Sequence, residues 1–79
     1  MIKKKIGERV KELRISKQYM NQEEFSKKIG WDNTYLSKVE SGKQNIAIEN
    51  LLTICNGLGI TLSDFFITFD KPIDIEGDI

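Results

Sequence analysis

An all-α fold of five short helices is what this sequence of 79 residues predicts. Apolar residues recur at spacings of three and four throughout, and no run of strict alternation is long enough to indicate a strand. Residues that begin and end helices also follow one another at short intervals. The length allows one domain, which we place at residues 1–69, followed by an acidic tail at 70–79 that has little to bury.

The first two helices follow from these signals. Helix 1 is predicted over residues 3–17, where apolar side chains recur on one face. Helix 2 is predicted over residues 22–29. Asn21 is a good N-cap, and Glu24 three residues later completes a capping box. Gly30 suits the left-handed residue that closes a helix.

A third helix starts almost at once. Asp32 is its expected N-cap, and Trp31 and Leu36 have the spacing of a hydrophobic staple across that cap. We therefore assign Trp31 to packing rather than to ligand stacking. The helix is predicted to run to about Ser41 and to stop at Gly42.

The fourth and fifth helices complete the domain. Helix 4 is predicted over residues 48–57, with an end at Asn56 and Gly57. Thr61 is the expected cap of helix 5, and Asp64 stands at its third position. One face of helix 5 is predicted to carry Leu62, Phe65, Phe66 and Phe69.

Two short helices joined by a tight glycine-containing turn, at about residues 21–42, describe a helix-turn-helix, whose second helix enters the major groove of DNA. Leu36 and Val39 point to one side of the predicted third helix, and short polar residues occupy the opposite arc. Asparagine pairs with adenine, and lysine donates to guanine. Base contacts are therefore predicted from Asn33, Thr34, Ser37 and Lys38.

The charge of the chain is divided along its length, although the formal net charge is zero. Residues 1–45 hold eleven Lys and Arg against six Asp and Glu, a balance of +5; residues 46–79 hold one against six, a balance of −5. A basic half is what a surface facing phosphates needs.

Composition also excludes several classes of protein. Without histidine, Ser/His/Asp and Cys/His catalysis and the common zinc sites are absent, and no cofactor is predicted. Cys55 is the one cysteine, which excludes an internal disulfide and fits a reducing compartment. It lies on the apolar side of helix 4, so we assign it to the core. No apolar run approaches the roughly 20 residues that span a bilayer, and a cytoplasmic location is expected.

Residues 21–30 and 35–43, continued by residues 58–66, resemble the Cro/C1-type (Xre) helix-turn-helix family. The resemblance covers about residues 6–67 and implies a five-helix, lambda-repressor-like DNA-binding domain. Within that family the chain is most similar to the controller proteins of restriction–modification systems. Such proteins are homodimers that regulate their own promoter and that of the nuclease, which implies double-stranded DNA and RNA polymerase as partners.

The resemblance also implies roles for individual residues. Arg14 and Glu40 match a buried ion pair that ties the first helix to the third. Asn33 stands where controller proteins usually have arginine, so the operator sequence is expected to differ from theirs. The turn before Asn21 is one residue longer than usual. Contacts to the DNA backbone are expected from Gln22, Tyr35, Ser41, Lys43, Gln44 and Asn45.

A two-fold dimer is expected because one recognition helix reads only a few base pairs. The fifth helix carries more apolar surface than a short terminal helix needs for its own core, so it is the predicted interface. The expected interface residues are Phe65, Phe66, Ile67 and Phe69.

Other functions compatible with the same scaffold stay open on the sequence. A phage-type repressor or an antitoxin regulator would use the same fold on another operator. A helical adaptor for protein interactions would use it without DNA, and its binding would be indifferent to salt, whereas DNA binding weakens as salt rises. An enzyme is disfavoured, since the chain has neither a phosphate-cradling glycine loop nor paired carboxylates in a cleft.

Overall fold

Five α-helices follow one another in the computed structural model, which describes residues 2–19 and 21–69. The described part of the chain contains no strand, so the all-α class is confirmed. The acidic tail predicted at 70–79 lies outside the described residues. The helices are α1 (Ile2–Ser16), α2 (Gln22–Ile29), α3 (Asn33–Glu40), α4 (Ile48–Leu58) and α5 (Leu62–Phe66).

Local capping sets the bounds of α2 and α3. The side chain of Asn21 accepts a hydrogen bond from the backbone N–H of Glu24 at 2.7 Å, and Asp32 accepts one from Thr34 at 2.8 Å. Gly30 has a φ of 74°, which places it in the left-handed conformation that ends α2. The short turn between the two helices is therefore determined by residues next to it in the sequence.

The end of α4 differs from its prediction. The helix continues through Gly57 to Leu58, and Gly59, with a φ of 72°, is its C-cap. Gly57 serves another purpose, since a Cβ at that position would lie 2.4 Å from Cγ2 of Ile29. A side chain at this position would therefore require Ile29 to shift or α4 to move away from α2. Helix α5 is also shorter than its apolar face indicated, and Phe69 lies beyond its end.

The core lies between the five helices, and its largest buried side chains are Phe25 and Phe65. Cys55 is 1% exposed, which confirms its assignment to the core. Burial, together with the negative charge of Asp64, raises the pKa of its thiol. The buried apolar residues are Val10, Phe25, Leu36, Val39, Leu51, Ile54, Cys55, Leu58 and Phe65.

Helix α1 lies directly on the C-terminal end of α3. A Cβ at Gly7 would meet the backbone oxygen of Val39 at 2.3 Å and that of Glu40 at 2.6 Å. Backbone atoms cannot move aside as a flexible side chain does, so this contact fixes the separation of the two helices.

No helix in residues 2–19 and 21–69 is long and apolar enough to cross a membrane.

Gly7→Ala is expected to destabilise the protein, although alanine favours a helix by about 1 kcal/mol over glycine. The added methyl group overpacks the α1–α3 contact and should lower the free energy of unfolding by about 1–3 kcal/mol. Urea denaturation measures this, with Glu8→Ala as the matched control at the exposed neighbouring position. A Gly7→Ala protein as stable as the unaltered one would contradict the close approach.

Candidate nucleic-acid interface

Helices α2 and α3, joined by residues 30–32, form the predicted helix-turn-helix unit. Leu36 and Val39 on the inner side of α3 are 0% and 1% exposed, because they pack into the core. The outer side is open to solvent. It carries Asn33, Thr34, Ser37 and Lys38, all of which are exposed.

The polar groups of these four side chains are also available to a ligand. Within residues 2–19 and 21–69, none of them makes a hydrogen bond or ion pair to another part of the protein. The contacts near them involve backbone atoms, namely the N–H of Thr34 and the carbonyl of Lys38. The outer face of α3 thus offers amide, hydroxyl and ammonium groups to a ligand.

The ion pair that fixes this face connects Arg14 of α1 with Glu40 of α3. Arg14 donates through Nε to Oε2 at 2.7 Å and through its Nη2 to Oε1 at 3.2 Å. The two side chains are only 4% and 3% exposed. Arg14 also donates to the backbone oxygen of Tyr19, which follows α1. The ion pair implied by the resemblance is therefore present, and it is desolvated.

Gln22 occupies the first position of α2 and is already engaged inside the protein. Its Nε2 donates to Oε1 of Glu40 at 3.0 Å, and the residue is half-buried. The sequence predicted a DNA contact from this residue but not this internal bond. Eighteen residues separate the two partners, and no local pattern links them.

Tyr35 on α3 is half-buried, in contrast with the outer-face residues. Its ring meets the edge of Trp31 with centroids 4.8 Å apart, which agrees with a packing role for the tryptophan. Its hydroxyl accepts a hydrogen bond from Nδ2 of Asn50 at 3.2 Å. Sequence reasoning missed Asn50, which ties α4 to the helix-turn-helix.

The segment after α3 projects three exposed side chains, those of Lys43, Gln44 and Asn45. Gly42 turns the chain with a φ of 77°, and a Cβ there would lie 2.9 Å from Cα of Lys4. The lysine-rich start of α1 therefore lies beside this loop. Ser41 is exposed at the end of α3, where its hydroxyl donates to the carbonyl of Lys38 at 3.1 Å.

Arg9 belongs to the basic half of the chain but has a structural role. Its Nε donates to the carbonyl of Phe65 and its Nη2 to that of Asp64, both at 2.7 Å. These carbonyls lie in the last turn of α5, and that of Asp64 also accepts a hydrogen bond from the backbone N–H of Ile67 at 3.4 Å. Arg9 thereby joins α1 to α5, a role that sequence reasoning did not assign.

The predicted dimer residues differ in accessibility. Phe65 is 0% exposed, so its assignment to the interface is wrong: its ring fills the core of the monomer. Phe66 and Phe69 are half-buried, and their rings pack edge to face in a T-shaped arrangement with centroids 5.1 Å apart. Ile67 is 69% exposed, the largest exposure among the large apolar side chains of the described residues.

Comparison with known proteins places these features in a family. A family model described as helix-turn-helix matches residues 10–65. The control protein C.MunI of a Mycoplasma species is 44% identical over 70 residues, which cover 89% of this chain and 95% of that protein.

Two solved structures are similar to this chain in both fold and sequence. The restriction–modification controller protein C.AhdI from Aeromonas hydrophila is 33% identical with a TM-score of 0.75, covering 81% of this chain and 91% of its own. The controller protein C.Esp1396I, solved as a tetramer with its natural 35 base-pair operator, is 29% identical with a TM-score of 0.77. That match covers 86% of this chain and 88% of the other.

Breaking the Arg14–Glu40 pair from one side is expected to destabilise the protein strongly. Glu40→Ala leaves a buried guanidinium without its partner and should lower the free energy of unfolding by about 3–5 kcal/mol. The double variant Arg14→Met/Glu40→Met removes both charges and should stay near the stability of the unaltered protein. Urea denaturation of both variants checks the pair, and an equal loss in the two would contradict it.

Proposed function

This chain belongs to the helix-turn-helix family, in the group of restriction–modification controller proteins, and from that premise we propose that it regulates transcription by binding operator DNA as a homodimer. The observation that carries the proposal is the outer face of α3. Its polar side chains are exposed and make no bonds to the part of the chain that the structure describes, while the inner face packs into the core. A face of this kind suits the major groove.

The four outer-face residues are the proposed base readers. The amide of Asn33 suits the adenine edge, and Lys38 suits the acceptors of guanine. The methyl group of Thr34 and the hydroxyl of Ser37 add contacts to thymine and to either base edge. Because Asn33 is neutral where arginine is usual in the group, the operator should differ from those of its relatives.

The proposed backbone contacts surround that face on both sides. Gln22 lies at the N-terminus of α2, where helix dipoles and free N–H groups favour a phosphate. The exposed residues after α3 would hold the phosphates at its other end. The remaining members of this proposed set are Tyr35, Ser41, Lys43, Gln44 and Asn45.

A homodimer on a palindromic operator is the proposed active form. Two copies related by a two-fold axis place their recognition helices about one turn of DNA apart, roughly 34 Å. The related protein C.Esp1396I is described as a tetramer on a 35 base-pair operator, which supports assembly on DNA. In this chain Ile67, with Phe66 and Phe69 beside it, is the proposed contact between copies.

The proposed action needs no chemistry by the protein itself. Bound at its operator in the cytoplasm, the dimer would either occlude or recruit RNA polymerase at its own promoter and at that of the nuclease. Its effect on transcription would then follow from where the operator lies relative to the promoter. We therefore propose a regulator without enzymatic activity.

Titration of the unaltered protein against the DNA upstream of its own gene, at two salt concentrations, tests the function. The affinity should exceed that for unrelated DNA of the same length, and it should fall steeply as salt rises. Equal affinity for both DNAs, or binding indifferent to salt, would refute the proposed regulator.

Lys38→Ala and Lys43→Ala are expected to affect DNA binding in different ways. Loss of Lys38 should cost about 1–3 kcal/mol of binding and relax the preference at one operator position. Loss of Lys43 should weaken all sequences about equally and reduce the salt slope by about 1. Fluorescence anisotropy with single-base operator variants separates the two, and uniform losses from both would argue against α3 in the groove.

Ile67→Glu is expected to weaken the dimer without unfolding the monomer, because this side chain is 69% exposed. A charge at the two-fold contact should raise the dimer dissociation constant at least about tenfold, which is about 1.4 kcal/mol. Sedimentation at tens of micromolar measures this. Ile15→Glu, at an exposed isoleucine of α1, is the control and should leave the association unchanged. A dimer of undiminished affinity in Ile67→Glu would place the interface elsewhere.

A further inference from the structure

The carboxylate of Glu40 joins the α1–α3 ion pair to the proposed DNA surface. Its two oxygens accept three hydrogen bonds, two from Arg14 and one from Gln22. Arg14 approaches from α1, whereas Gln22 approaches from the first position of α2. Glu40 itself is buried and Gln22 is half-buried, so the chain of bonds runs from the interior towards the surface.

The chemistry of Glu40 fixes which way the amide of Gln22 faces. An ionised carboxylate only accepts hydrogen bonds, so the nitrogen of the amide must point to it. One of the two amide hydrogens is used in that bond at 3.0 Å, and the second remains to be donated. A glutamine side chain held in this way has already lost its rotamer freedom before a ligand arrives.

Arg14 makes this arrangement compatible with DNA. An unpaired Glu40 carboxylate would add to the negative charge that Glu23 and Glu24 already place in the first turn of α2, and so would disfavour a phosphate there. The bidentate guanidinium neutralises the charge of Glu40 and leaves one of its oxygens accessible to Gln22.

We propose that Glu40 is a positioning residue for DNA binding, which holds Gln22 so that its second amide hydrogen is presented to a backbone phosphate. This inference rests on the proposed function and deepens it. Glu40 does not touch DNA; it acts through Gln22. The buried pair therefore contributes to affinity by a route separate from its contribution to folding.

A double-mutant cycle on operator affinity tests the positioning role. Gln22→Ala should weaken binding about tenfold, as expected for loss of a hydrogen bond to a charged group. Glu40→Gln should weaken it by a similar factor, because an amide at position 40 keeps only one acceptor oxygen and turns its NH2 group towards a donor of Arg14 or Gln22. The double variant should be no weaker than either single variant, which is a coupling of about tenfold. If the affinity loss of the double variant equals the product of the two single losses, the two residues act independently and the proposal is overturned.

The matched control is Gln44→Ala, which removes a glutamine of the proposed backbone set that makes no bond to Glu40. In the double variant with Glu40→Gln, the two affinity losses should multiply, which means that Gln44 and Glu40 are not coupled. If Glu40→Gln fails to fold, the Arg14→Met/Glu40→Met protein provides a background without the carboxylate. In that background Gln22→Ala should change affinity less than about threefold; a full tenfold loss there would overturn the proposal.

A measurement without DNA separates this inference from the proposed function. The side-chain amide signals of Gln22 in nitrogen–proton NMR spectra should show slowed hydrogen exchange, and Glu40→Gln should shift them and remove that protection. An amide that exchanges as fast as that of Gln44 would refute the positioning role even if DNA binding is intact. The opposite result is also informative. If the Gln22 amide is protected in the unaltered protein and loses this protection in Glu40→Gln, but the DNA titration shows no preference for the operator, the proposed function is refuted instead.

Discussion

The buried ion pair between Arg14 and Glu40 is the constraint on which the proposed DNA face depends. It sets the rotation of α3 about its own axis, because a bidentate pair is directional in a way that apolar contacts are not. The contact at Gly7 sets the distance between α1 and α3. With distance and rotation both fixed from the inner side, the outer side of α3 points in one direction before any ligand arrives.

Stability alone does not explain why an ion pair lies at this position. Desolvation of two charges offsets much of their attraction, and apolar residues of similar volume often stabilise a fold as well or better. What apolar residues lack is a free acceptor. Glu40 still accepts a bond from Gln22 and so connects three helices through one carboxylate. Geometry and polarity, rather than free energy of folding, distinguish this pair from a packed apolar contact.

The sequence predicted the parts of the molecule that depend on near neighbours. Asn21, Gly30 and Asp32 act within four residues of themselves, and the bounds of α2 and α3 followed. The end of α4 was wrong because Gly57 and Gly59 both suit a helix end locally, and only packing against α2 distinguishes them. The periodicity of α3 likewise predicted which side is exposed. The bonds that orient the candidate site join residues 15 or more positions apart, beyond the reach of local patterns.

Charge counting overstated the basic surface for a related reason. Of the eleven basic residues in the first 45, Arg14 lies in the buried pair and Arg9 binds the carbonyls that end α5. Fewer phosphate contacts mean weaker binding to DNA of any sequence, since that affinity scales with the phosphates neutralised. A regulator must find its operator among many competing sites, so the ratio of specific to non-specific affinity governs occupancy. With Arg9 and Arg14 engaged inside the protein, affinity for DNA of any sequence is lower than the charge count suggests, which favours that ratio.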